Sequence, residues 1–189
     1  AHIAKTNITV KFILGWIVQG NLLAFDTSQF HVFSNTLQAI AVGYFFSCVA
    51  YINLGRKWLY FIFAACLIGY ALILTIPNVP GLGKSVLLPD RNYALYFDHL
   101  VFGKFDDGLQ YTWFLTGLGF TATTLSGVFA GELIKSKLPR EKVALYLFIA
   151  GIAALGLGLI WGIWHPIVKK IWTSSFVLAS SGVCYILLA

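Results

Sequence analysis

The chain has 189 residues, of which 59% are hydrophobic and only 11% charged. Soluble domains carry about 25% charged residues, so the composition excludes an ordinary soluble domain and points to a protein that crosses a membrane several times. The net charge of +6 is then no sign of nucleic-acid binding, because Lys and Arg in such chains report topology and contact with membrane lipid. Cys48, Cys66 and Cys184 sit in apolar runs without a CxxC pair, as small buried hydrophobes do, and no metal site is expected.

Six apolar runs follow one another, at residues 8–25, 36–52, 58–76, 113–134, 143–164 and 172–189. Each approaches the ~20 residues that cross a hydrocarbon core, and lipid leaves helices as the sensible choice. The expected fold is an all-α transmembrane helical bundle of about six spans. It forms one domain, residues 1–189, of a longer polytopic protein. The first nine residues show no signal-peptide pattern. The links "NLGRKW" and "KSKLPREK", with Lys5 and Lys11, gather eight of the thirteen Lys and Arg on one side. The positive-inside rule makes that side cytoplasmic, with the N-terminus. A bacterial inner membrane is the expected location.

The long connection 77–112 should hold structure of its own. In "DRNYALYFDHLVFG", Asp90 reads as an N-cap and Gly103 as a stop. Between them, Tyr93, Phe97, Leu100 and Val101 fall on one face of a short interfacial helix.

Polar groups recur at the exoplasmic ends of the spans. Gln19, Asn21, Asn35 and Gln38 are amides that lipid leaves unsatisfied unless they pair, so they read either as helix–helix hydrogen bonds or as a polar pocket. In "WFLTGLGFTATTLSGVFAGE" the glycines permit close packing and the hydroxyls can bond their own helix. A wet cavity is the alternative. In "HPIVKKIWTSSFVL", Lys169, Trp172 and Ser174 read as snorkelling and interfacial residues or as an anion site at a helix start. Asp98 and His99 are adjacent and point apart on a helix, so they form no dyad. GxSxG, HExxH and a glycine-rich phosphate loop are absent.

The stretches "NTLQAIAVGYF", "NYALYFDHLVFGKFDDGLQYTWFL", "TTLSGVFAGELI" and "KKIWTSSFVL", in this order, resemble the heparan-α-glucosaminide N-acetyltransferase family over residues 15–178. The resemblance implies a transferase that tends to dimerise and carries an acetyl group from cytoplasmic acetyl-CoA to the amino group of a glucosamine-type sugar across the membrane. On that reading the sugar sits near Gln19, Asn21, Asn35, Gln38 and Asp98, and the acetyl-CoA phosphates meet Arg56, Lys57 and Lys135. The family's catalytic histidine belongs to a luminal loop before the part seen here, and His31, His99 and His165 do not match it. Where the family has "PGVLQR", this chain reads "VFSNTLQA". It keeps Leu37 and Gln38 without the basic residues. A sugar transporter component and a non-enzymatic subunit of a membrane assembly are the competing readings.

Overall fold

A computed structural model describes residues 9–11, 13–15, 17, 31, 35–81, 83–84, 86–103 and 111–189. Backbone at 9–11, 13–15 and 17 is helical. The following helices are α1 (Thr36–Asn53), α2 (Arg56–Thr75), α3 (Tyr93–Phe102), α4 (Gly117–Ile134), α5 (Arg140–Trp161) and α6 (Ser174–Leu188). Between α2 and α3, β1 (Asn78–Val79) pairs with β2 (Gly83–Lys84), and β3 (Leu87–Leu88) with β4 (Arg91–Asn92). Both pairs are antiparallel.

Local chemistry sets the helix ends. Asn35 and Gln38 form a capping box on α1: Leu37 N–H donates to Asn35 Oδ1 at 3.0 Å, and Asn35 N–H donates to Gln38 Oε1 at 3.2 Å. α5 starts behind Pro139, with Glu141 in its first turn, where a carboxylate complements the helix dipole. The expected Asp90 cap gives way to Asn92. The β3–β4 turn takes up Asp90, while Asn92 Oδ1 accepts Leu95 N–H at 2.8 Å. Gly103, at φ +50°, ends α3 as expected. The buried face of α3 is Ala94, Leu95 and Asp98, which leaves Leu100 and Val101 exposed.

α4 is the hub. Ala39 packs with Phe120, Ser47 Oγ donates to Thr121 O at 3.2 Å, and Ala50 packs with Leu125, so α1 runs parallel to α4. α2 runs the other way, with Tyr70 at Thr116, Leu59 at Leu125 and Arg56 at Glu132. This answers why α4 is rich in small and hydroxylated residues: it touches α1, α2 and α6 together. Thr121, Thr123 and Thr124 donate to Gly117 O, Gly119 O and Phe120 O on their own helix. That keeps their polarity inexpensive between apolar neighbours.

α1, α2 and α5 are long and apolar enough to cross a membrane. The expectation of six spans therefore reduces, among the described residues, to three helices with both properties. α4 matches α1 in length, but its threonines and serine dilute its hydropathy. α6 has 15 residues, and most of 8–25 lies outside the described residues.

α5 and α6 pack antiparallel through glycines. A Cβ on Gly182 would lie 2.5 Å from Leu155 N, and one on Gly158 would lie 2.6 Å from Ala179 N. Gly182→Val should force the pair apart and cost about 1–3 kcal/mol, read as a lower unfolding temperature in detergent. Gly127→Ala adds a methyl where nothing lies within 4 Å and should leave that temperature unchanged or raised. An unperturbed Gly182→Val protein would mean the seam is not tight.

Candidate functional site: two cavities on one helix seam

Hydroxyls fold the segment between α5 and α6. Ser175 Oγ donates to His165 O at 2.6 Å, and Thr173 Oγ1 accepts Val168 N–H at 3.0 Å. Ser174 Oγ donates to Leu67 O at 2.7 Å, and Tyr70 O–H donates to Ile171 O at 2.6 Å, tying the segment to α2. The same Tyr70 hydroxyl meets Thr116 Oγ1 at 3.1 Å, which in turn meets Thr112 Oγ1 at 2.6 Å. The Thr-Ser-Ser cluster is therefore stitching: Ser174 is fully buried and spent on a backbone carbonyl.

This stitching holds Trp172 in an unusual place. Its φ is +50°, a left-handed conformation that costs a side-chain-bearing residue about 1–2 kcal/mol. The ring packs between Phe120 and Phe176, at centroid distances of 5.1 and 5.0 Å, and Nε1–H donates to Thr123 Oγ1 at 3.0 Å. Gly119 makes room beneath it, since a Cβ there would lie 2.9 Å from Trp172 O.

Asp98, on α3, is fully buried. Its carboxylate accepts Trp113 N–H at 2.5 Å and Phe114 N–H at 3.1 Å, which fixes the turn leading into α4. His99 faces outward, so the two side chains diverge as their spacing demands.

At this end of α4 lies a cavity of about 490 Å³. Its walls include Asn35, Tyr111, Trp113, Lys169, Lys170 and Trp172, and the Tyr111 and Trp113 rings stack at 6.1 Å. Three expected residues thus converge: Asn35, Lys169 and Trp172. Gln38 is fully buried, its Oε1 given to the α1 cap. Asp98 and Ser174 act behind the wall by holding it. Gln19 and Asn21 lie outside the described residues. Tyr111 and Trp113 are wall residues that the sequence did not single out, although an aromatic pair beside Thr112 at a span entrance was the available signal.

At the opposite end of α4 a second cavity, of about 550 Å³, is lined by Tyr44, Ser47, Arg56, Thr124, Glu132 and Lys135. Arg56 donates to Glu132 Oε2 through Nη2 at 2.7 Å and Nε at 3.0 Å. Glu132 is thus the partner of Arg56. Arg56 and Lys135 both line this cavity, while Lys57 is exposed outside its wall.

Both cavities lie on the α1–α4 seam, one toward each end. What parts them is a close contact: a Cβ on Gly43 would lie 2.6 Å from Phe120 O and 2.8 Å from Thr124 Oγ1. Phe120 lines the first cavity and Thr124 the second. One helical turn, about 6 Å, separates them.

No family model, curated protein or solved structure matches the chain. Among the described residues no group of three or more His, Cys, Asp or Glu is arranged to hold a metal.

His165 stands apart from both cavities. It is 3% exposed, and neither ring nitrogen has a hydrogen-bond partner. Burial lowers its pKa below the usual value of about 6.5. The unfolded chain then binds the proton more readily than the folded one. The stability contributed by a neutral His165 is complete above pH ~6.5 and falls as pH drops toward the lower folded value. Unfolding temperatures in detergent should decline below pH ~6.5, and less steeply in His165→Phe. Equal slopes in the two proteins would rule out His165 as the source.

Proposed function

We propose that the chain is the membrane core of an acetyltransferase that takes the acetyl group of acetyl-CoA on the cytoplasmic side and delivers it to the amino group of a glucosamine-type sugar on the other. The carrying observation is the pair of cavities toward opposite ends of one helix seam, whose lining residues Phe120 and Thr124 lie one turn apart on α4. The cavity of Arg56 and Lys135 offers cations for the phosphates of acetyl-CoA. The cavity of Tyr111, Trp113 and Trp172 offers aromatic faces for a sugar ring, with Asn35, Lys169 and Lys170 for its polar groups. The ordered motifs that resemble the heparan-α-glucosaminide N-acetyltransferase family support the same reading. In this arrangement α4, α6 and the helix to which residues 9–11, 13–15 and 17 belong cross the membrane with α1, α2 and α5. The basic links are cytoplasmic, the membrane is a bacterial inner membrane, and the chain works as a homodimer. Among the described residues the titratable groups that line the sugar cavity are Tyr111, Lys169 and Lys170.

The test is transfer of a labelled acetyl group from acetyl-CoA to glucosamine by the protein in detergent. Labelled N-acetylglucosamine establishes the reading. Absence of both transfer and acetyl-CoA binding by calorimetry sinks it. A thin wall between two cavities also suits a sugar transporter component with alternating access. Uptake of labelled glucosamine into proteoliposomes without acetylation would favour that second reading.

A further inference from the structure

A third hollow, an apolar groove of about 800 Å³, runs between α1 and α2. The two helices are joined by Leu54 and Gly55, yet both lean on α4 and leave a slot between them. Val42, Phe46 and Val49 of α1 face Ile62 and Cys66 of α2 across a floor that includes Leu118. The polar groups along it are turned to their own helices: Thr121 Oγ1 donates to Gly117 O, and Asn53 Nδ2 to Val49 O. Phe46, Val49, Leu54 and Phe114 of the lining are exposed to the surroundings.

Both flanking helices are long and apolar enough to cross a membrane, so the slot opens onto hydrocarbon. Apolar walls do not hold water, and an empty slot forfeits dispersion contacts along its length. From Val42 to Asn53 the groove follows α1 for about 16 Å at ~1.5 Å per residue. Past Val42, which lies against Gly117, the lining continues to Leu115, Phe114 and Trp113 ahead of α4. At the Asn53 end the basic residues divide. Arg56 is turned to Glu132 in the neighbouring cavity, while Lys57 and Trp58 are exposed. Exposed lysine and tryptophan at a span end are placed for a headgroup.

We infer that this groove is a lipid site that takes one acyl chain of an anionic phospholipid, with the headgroup phosphate beside Lys57. An apolar lining open to hydrocarbon and positive charge at one end select this occupant over a second protein helix.

The experiment is native mass spectrometry of the full chain after extensive detergent washing. It is repeated after adding phosphatidylglycerol or phosphatidylcholine. One phospholipid should remain on the wild-type protein, with phosphatidylglycerol favoured about fivefold, the worth of one lysine near an anionic lipid. Val42→Trp, and separately the rim change Val49→Trp, should remove it. Lys57→Gln should keep a lipid and lose the preference. Absence of any retained lipid overturns the inference. So does lipid retained equally by both tryptophan variants, or a disulfide-linked dimer formed through Val49→Cys. None of these readouts depends on acetyl transfer, so the lipid site and the proposed activity fail independently.

Discussion

Asp98→Ala is expected to cost the protein about 3–5 kcal/mol and to collapse the cavity at the start of α4. The carboxylate is fully buried and accepts the backbone N–H groups of Trp113 and Phe114. Hydrogen bonds to a charged acceptor contribute about 1.5–3 kcal/mol each, and a buried donor left without one costs about 1–3 kcal/mol. Alanine leaves two such donors. Asparagine keeps the shape and one acceptor oxygen, so Asp98→Asn should fall between alanine and wild type. Thermal unfolding in detergent gives the order, and sugar binding by calorimetry should follow it. If Asp98→Ala unfolds as wild type does but no longer binds sugar, the carboxylate is a ligand contact and not a strut.

The second large effect is expected at Phe120. Its side chain is buried against Trp172 and Ala39, and its backbone oxygen meets Gly43 at the wall between the two cavities. Phe120→Ala should cost about 3–5 kcal/mol and deepen the Tyr111 cavity, while the backbone contact with Gly43 stays in place. Cys48 lies in the Arg56 cavity and reports any joining of the two. In a protein with Cys66→Ala and Cys184→Ala, a small membrane-impermeant thiol reagent is added from the Tyr111 side. Labelling of Cys48 should be no faster in Phe120→Ala than with Phe120 intact. A much faster rate would show that the Phe120 ring, and not the backbone contact, is the wall.

The helices were legible because each is a long apolar run between turn residues and charges. The ends were less so. α4 was expected from residue 113 and begins at Gly117, because a carboxylate on α3 takes the Trp113 and Phe114 amides, and no local pattern announces a cap from another helix. The amides at Asn35 and Gln38 were visible but open to two readings. Their spacing of three, just before an apolar run, is that of a capping box, and this local role accounts for Asn35 Oδ1 and Gln38 Oε1. The basic and polar ends of the chain were read as two separate binding regions, and the described members of each partly converge. The Arg56–Glu132 pair and the Tyr70 network join residues far apart in the chain, which composition and periodicity do not reveal. The left-handed backbone of Trp172 was equally hidden, since nothing in "KKIWTSS" marks it.

The glycine seam of α5 and α6 has a mechanical consequence. Backbones that approach this closely exclude lipid and exchange weak Cα–H···O contacts along their length. The pair should behave as one rigid post, its amides around Gly158 and Gly182 among the slowest to exchange with deuterium. A motion that brings the two cavities into communication then falls to α1. That helix meets α4 through Ala39, Gly43, Ser47 and Ala50, and its sliding has to break the Ser47–Thr121 hydrogen bond and the Gly43–Phe120 contact.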